Sequence, residues 1–112
     1  MKFWITELEK INKEFEPKSK VKNLGSLEFA AEHAARTKDW MKQLAYLLRA
    51  IVVDHAFDDG NKRTAAYLIT KFFDENKVTY TNDKIARLVI KIASDNITDM
   101  EKIRRLVYDA TI

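Results

Sequence analysis

Apolar residues recur at three- and four-residue spacing through most of this chain, the period of a helix that buries one stripe and leaves the rest to water. Trp4, Leu8, Ile11 and Phe15 share such a stripe, with charges between them, and predict a first helix over about residues 3 to 15. Leu27, Ala30, Ala31 and Ala34 form the small apolar face of a second, with Ser26 as its expected N-cap. Thr37 stands where it would cap a third helix, whose stripe of Trp40, Leu44, Leu47, Leu48 and Ile51 leads, four residues on, to His55. That spacing predicts the imidazole at the inner edge of a helix end. A fourth helix is expected from Asn61 or just before it, burying Ala65, Leu68, Ile69, Phe72 and Phe73. Thr81 or Asn82 is the expected cap of a fifth, with Ile85, Leu88, Val89 and Ile92 inside. Thr98 and Glu101 read as a capping box before a sixth, which carries Met100, Ile103, Leu106, Val107 and Ala110.

The breaks between these segments are few, because the chain has only two glycines and one proline. Pro17 closes the first segment, Gly25 precedes the second, and Gly60 sits in the central turn. Lys18 to Gly25 is polar and basic, with Val21 and Leu24 as possible anchors, and reads as a simple loop or a short extended flap beside a cleft. Val78, Thr79 and Tyr80 are compatible with a locally extended run, but three residues make no sheet. The expectation is an all-α bundle of about six helices without repeats.

A length of 112 residues, 46% of them hydrophobic, fits a single domain over residues 1–112. Lacking cysteine, the chain has no disulfide framework, thiolate nucleophile or cysteine-rich zinc site. Its two histidines, His33 and His55, are too few for a structural zinc site without help from carboxylates. The N-terminus turns acidic and polar before a signal-like apolar run develops, and Leu44 to Val53 falls far short of the roughly 20 residues that span a bilayer. A soluble, cytoplasmic protein with no membrane partner is expected. The formal charge of +3 is spread along the chain among acidic residues, so charge by itself gives little support to a nucleic-acid partner.

One stretch gathers chemistry that a helical frame does not need: Asp54-His55-Ala56-Phe57-Asp58-Asp59-Gly60-Asn61-Lys62-Arg63-Thr64-Ala65. Gly60 can adopt a positive φ or let its backbone approach a ligand, and the helix that starts near Asn61 turns free N–H groups and its positive dipole end toward the same space. Lys62 and Arg63 oppose that dipole, a placement that makes sense if an anion is recruited between them; a solvated surface role is the simpler reading for Lys62. Asp58 and Asp59 are candidates for magnesium or manganese, which accept a single protein carboxylate when phosphates and waters complete the shell; either could instead cap the helix or face water. Phe57 reads as a hydrophobic peg for the loop, with an aromatic wall for a base as the alternative. Taken alone, each histidine reads as a packed or locally hydrogen-bonded residue, and His33 keeps that reading. His55, beside the phosphate nest, is also placed to take a proton from an incoming hydroxyl. Asp54 orients the imidazole or simply faces solvent; the Asn61 amide meets phosphate or caps its own helix.

The run from His55 to Arg63 resembles the signature of the Fic/Doc (Fido) family, and its continuation Asn61-Lys62-Arg63-Thr64-Ala65 is especially similar to the Doc, or death-on-curing, branch. The resemblance implies a compact bundle around a central active-site helix pair. It implies His55 as general base toward a protein hydroxyl, Phe57 as core anchor, and Asp59 as the magnesium-directing carboxylate. Gly60 and Asn61 would form the anion-binding loop, with Lys62 and Arg63 on the phosphates of ATP. Fic-type members transfer AMP to a Ser, Thr or Tyr side chain, whereas Doc-type members transfer the terminal phosphate to translation elongation factor Tu.

Three positions separate these activities by resemblance. AMP-transferring members carry a small residue where this chain has Lys62, and a second arginine where it has Ala66. Ala56 likewise replaces a proline common in Fic proteins. The pattern implies a Doc-like, ATP- and Mg2+-dependent phosphotransferase (Mn2+ being a substitute) that modifies a protein Ser/Thr hydroxyl, as a toxin-like enzyme. The inhibitory Ser/Thr-to-Glu helix of many Fic proteins has no counterpart here, which is compatible with control by a separate cognate antitoxin. Fic-like AMP transfer is the enzymatic alternative, and a non-catalytic nucleic-acid- or antitoxin-binding module is the other.

Overall fold

The computed structural model describes residues 2–112. Six α-helices pack around a buried centre: α1 (Lys2–Phe15), α2 (Leu24–Ala35), α3 (Trp40–Leu48), α4 (Asn61–Glu75), α5 (Asn82–Ser94) and α6 (Met100–Asp109). The predicted stripes of the middle of the chain form its core. Leu44, Leu47, Leu48 and Ile51 meet Ala65, Leu68, Ile69, Phe72 and Phe73, and Ile85, Leu88, Val89, Ile92, Ile103 and Val107 close over them. Trp4 stacks on Phe72 with ring centroids 5.6 Å apart, joining α1 to α4. Phe15, at the end of the first stripe, is only half-buried and meets Tyr67 edge-on. No helix of the described residues is long and apolar enough to cross a membrane.

Several expected helix starts shift, each toward a side chain with a better reach to the free N–H groups. Asn23, not Ser26, caps α2, its carboxamide oxygen accepting from the Ser26 N–H at 3.3 Å. Asp39, not Thr37, caps α3, and Thr37 instead accepts from the Asp39 N–H. Asp99, not Thr98, caps α6 by accepting from Glu101 and Lys102. Thr81 caps α5 as expected. Because α2 starts at Leu24, the basic connection is shorter than expected, and Leu24 is 49% exposed and anchors nothing.

The connection is nonetheless tied to the central turn. Val21 pairs with Phe57 in a single antiparallel bridge, framed by Lys22 N–H to Ala56 carbonyl at 2.7 Å and Asp58 N–H to Lys20 carbonyl at 2.9 Å. Phe57 itself is 1% exposed, a hydrophobic anchor at the root of the loop.

The principal departure lies at the end of α3. The helix widens into a π-helical turn, Arg49–Val53, in which the Asp54 N–H reaches back five residues to the Arg49 carbonyl at 3.0 Å. This extra residue per turn breaks the spacing that would have carried His55 onto the buried stripe. His55 instead takes a left-handed φ of 51° and is exposed, while Ala56 turns into the core. The expectation of an inner-edge imidazole is therefore corrected.

Candidate active site

Gly60 ends the central loop in the left-handed region, φ 71°, and α4 begins at the next residue. The first intrahelical bond of α4 is Thr64 N–H to Gly60 carbonyl at 2.9 Å, so the N–H groups of Asn61, Lys62 and Arg63 lie ahead of it at the open helix end. A β-carbon on Gly60 would stand 3.0 Å from Glu16 Cγ and 3.3 Å from Asn12 Nδ2. Glycine is favoured there by φ, and a larger residue would press on the Glu16 and Asn12 side chains.

Two polar side chains from outside the loop hold it, and sequence reading had assigned neither a role. Asn12 is 1% exposed; its Nδ2 donates to the Asp59 carbonyl at 2.7 Å and to Thr64 Oγ1 at 3.1 Å. Ser19 is 4% exposed; its hydroxyl donates to the Asp59 carbonyl and accepts from the Asp59 N–H, both at 3.2 Å. The signal for Asn12 was present in the pattern: it falls four residues after Leu8, on the buried side of α1, where an amide must find partners. Ser19 gives no such signal, since its partner is fixed only by the fold.

The Asn61 carboxamide works inside the loop. Its Oδ1 accepts from the Phe57 N–H at 3.0 Å and its Nδ2 donates to the Phe57 carbonyl at 2.9 Å. One N–H of the Asn61 Nδ2 is left over from these bonds, and the Asn61 backbone N–H stands at the open helix end beside it. Asp59 accepts the Gly60 N–H through Oδ1 at 2.8 Å, which leaves its second oxygen for another partner. Asp58 donates through its backbone to Lys20, and its exposed carboxylate has no partner among the described residues. Asp54 gives its carbonyl to Asn23 Nδ2 at 3.3 Å, and no hydrogen bond links its carboxylate to His55 among the described residues.

A cavity of about 570 Å³ joins these elements, lined by His55, Asp58, Asp59, Gly60, Asn61, Lys62 and Arg63 together with Glu16, Val52, Ala93 and Asn96. Every site residue expected from the sequence therefore borders one space. A second lobe of about 500 Å³ adjoins it through Glu16, Asp58 and Asp59 and is otherwise bordered by Pro17, Lys18 and Ser19. Lys62 and Arg63 are exposed and form no ion pair among the described residues, as suits cations awaiting a ligand. His33 is held apart from this space: its Nδ1 lies 2.9 Å from the Phe29 carbonyl, and its ring packs between Phe29 and Tyr46.

No group of three or more His, Asp or Glu side chains fit to enclose a metal occurs among the described residues. A magnesium ion carried in with phosphates needs less, since one or two carboxylates suffice when phosphate oxygens and water fill the octahedron. The free oxygen of Asp59, with Asp58 on the same cavity, meets that smaller demand.

Searches among curated proteins and among solved structures give no match. The family model described as Fic/DOC family matches residues 5–73, more than half of the chain. That span runs from α1 through the π-helical turn and the loop into α4, and contains Asn12, Ser19 and the cavity-lining residues other than Ala93 and Asn96. The protein whose Asn12, Ser19 and Gly60 shape this loop is thus a member of the Fic/DOC family.

Proposed function

We propose that this chain transfers the terminal phosphoryl group of ATP to a serine or threonine hydroxyl of another protein, as Doc-type members of the family do. Family membership supports a nucleotide-dependent modifying enzyme in general. The observation that carries the finer reading is the sequence around Arg63, where Lys62 stands in place of a small residue and Ala66 in place of a second arginine. The site can grip one phosphate group strongly and has no second guanidinium for clamping distal phosphates.

In this reading the N–H groups of Asn61 to Arg63 and the Arg63 guanidinium receive the oxygens of the transferring phosphoryl group. The target hydroxyl oxygen attacks the γ-phosphorus while His55 takes its proton. The new bond is the phosphoester; the bond that breaks joins the γ-phosphorus to the bridging oxygen of the β-phosphate, and ADP leaves with that electron pair. Magnesium held by Asp59, with Asp58 beside it, would neutralise charge on the phosphates. The exposed position of His55 suits this role, because the proton donor arrives from outside the molecule.

The Lys20–Lys22 segment supports a protein target. Its bonds to Ala56 and Asp58 flank Val21, so the Val21 N–H and carbonyl face the opposite edge, open to an extended chain. Lys18, Lys20 and Lys22 are exposed there and suit an acidic segment. Control by an antitoxin belongs to the same reading. The test is transfer of label from ATP to protein, expected with the wild type and lost on substitution of His55. Stable, salt-sensitive oligonucleotide binding without transfer, surviving loss of His55 and Asp59, would instead identify a binding module.

A further inference from the structure

Lys84, Arg87, Leu88 and Lys91 fall on one face of α5 with the i, i+3, i+4, i+7 spacing by which a helix addresses a neighbour, yet three of the four are cations. This face forms one side of a groove of about 390 Å³ whose other side is the end of α6, with Leu106, Asp109 and Ala110. We propose that the groove docks an acidic amphipathic helix of a partner protein, its apolar stripe on the floor and its carboxylates against Lys84, Arg87 and Lys91. The inference does not depend on the transferase reading.

The floor is apolar: Leu88 is 5% exposed, Ala110 is 8% exposed, and Leu106 is half-buried. A furrow between two helices is the shape into which a third helix sets a ridge of side chains. The rim supplies the sign of the charge. Cations three and four residues apart on a helix repel one another, and their relief within this chain comes from outside the groove. Arg87 and Lys91 reach Asp83 and Asp95 at 3.2 and 2.6 Å in exposed pairs, and neither acid lines the groove. Pairs so exposed hold their members weakly and exchange readily for the carboxylates of a partner. Lys84 donates from Nζ to the Ile112 carbonyl. Inside the groove these three cations face one carboxylate, Asp109, which has no ion pair among the described residues.

Charge complementarity over an apolar floor selects the occupant. A nucleic acid would want rings to stack on or a broad basic face, and no aromatic side chain lines the groove, whose cations lie along one edge only. An anionic bilayer laid on this surface would meet Asp83, Asp95 and Asp109 together with the cations, whereas a helix with a single acidic edge meets the cations alone. The groove shares no lining residue with the cavity of His55 and lies beyond residue 73, where the family match ends.

Fluorescence anisotropy of the full chain with a cross-linked helical peptide roughly four turns long tests this. The peptide carries a leucine stripe edged by glutamates, and its control carries lysine for each glutamate. The wild type is expected to bind the glutamate peptide about tenfold or more tightly than the lysine peptide. Joint Lys84→Glu, Arg87→Glu and Lys91→Glu substitution should reduce that preference below about twofold, and Leu106→Gln should weaken the glutamate peptide several-fold from the floor. Lys20→Glu with Lys22→Glu, on the other basic surface, should leave the preference within about twofold. Thermal melting checks the fold of each variant, and the wild-type preference stands as a test without any of them. Equal binding of the two peptides overturns the proposal, as does a preference that survives the triple substitution or follows Lys20 and Lys22 instead. Binding of duplex DNA or of phosphatidylserine vesicles in place of the peptide overturns it too. Self-association in light scattering that the triple substitution abolishes would assign the groove to a second copy of this chain and overturn it likewise.

Discussion

The Asn12 side-chain amide donates a 2.7 Å hydrogen bond to the backbone carbonyl of Asp59, 47 residues away in sequence. Through it the last turns of α1 set the height of the loop from which the carboxylate and the helix end project. Loss of that amide should therefore disturb both the fold and the chemistry. Asn12→Ala leaves the Asp59 carbonyl with Ser19 as its remaining side-chain donor and the buried Thr64 hydroxyl short of a partner, and is expected to cost about 1–3 kcal/mol in denaturant unfolding. Transfer should fall by more than the loss of folded protein explains. Asn12→Asp, which keeps the shape but cannot donate, should be at least as damaging as Ala; near-wild-type behaviour of Asp would contradict the role given to the amide.

Gly60→Ala combines two separable penalties. The left-handed φ of 71° costs about 1–2 kcal/mol for any residue with a β-carbon, and the contact 3.0 Å from Glu16 Cγ adds to it. Pairing it with Glu16→Ala should recover only the contact, so the double variant is expected to remain less stable than Glu16→Ala alone by about the backbone cost. Full recovery in a thermodynamic cycle would show that φ is not limiting.

His55 touches no hydrogen-bond partner among the described residues, so its removal should spare the fold. Asn is the better substitute than Ala, because it tolerates the left-handed φ of 51°. His55→Asn is expected to unfold within about 0.5 kcal/mol of wild type and to slow transfer by roughly 100-fold or more. A rate close to wild type removes the imidazole from the reaction.

The frame has an acid-sensitive latch. Burial raises the pKa of Asp39, but the hydrogen bond from Arg104, the Lys42 N–H, the Arg104 charge and the Met41 N–H outweigh it, and the carboxyl titrates below its ordinary 3.8. The Arg104 contacts, at 2.7 and 2.8 Å, tie α6 to the cap of α3. A depressed folded pKa means that the unfolded chain binds the proton more tightly. The latch therefore stabilises above about pH 3.8 and is lost as pH falls through the lower, folded value. Arg104→Met should cost about 1 kcal/mol or less at neutral pH, since the two side chains are 34% and 36% exposed. The gap from wild type should narrow in melts taken at successively lower pH below 3.8 and close below the folded value; a gap that persists unchanged throughout would exclude the ion pair as its source.

Much of the frame could be read from periodicity, for a physical reason: Leu44, Leu47, Leu48 and Ile51, or Leu68, Ile69, Phe72 and Phe73, bury themselves by regular helical spacing alone. The His55–Arg63 run stood out as a candidate site because it gathers charged and polar residue types at one turn, and the structure places His55 and Asp58 to Arg63 on one cavity. Three things were not legible. The caps moved to Asn23, Asp39 and Asp99 because neighbouring residues compete for the same N–H groups and geometry decides between them. The π-helical turn at Arg49–Val53 has an ordinary apolar composition, and together with the left-handed φ of His55 beyond it takes the imidazole off the core stripe. Ser19 and Asn12 act across the fold, and only the amide, buried at a core position of α1, announced that it must be satisfied.

Incubation of the wild type with magnesium, a cell extract and ATP labelled separately on its α- and γ-phosphates tests the central claim most directly. Label from the γ-position should appear on a protein, be absent with His55→Asn, and have no counterpart from the α-position. Transfer of the α-label would establish AMP transfer instead, and transfer of neither by folded, ATP-binding protein would contradict both.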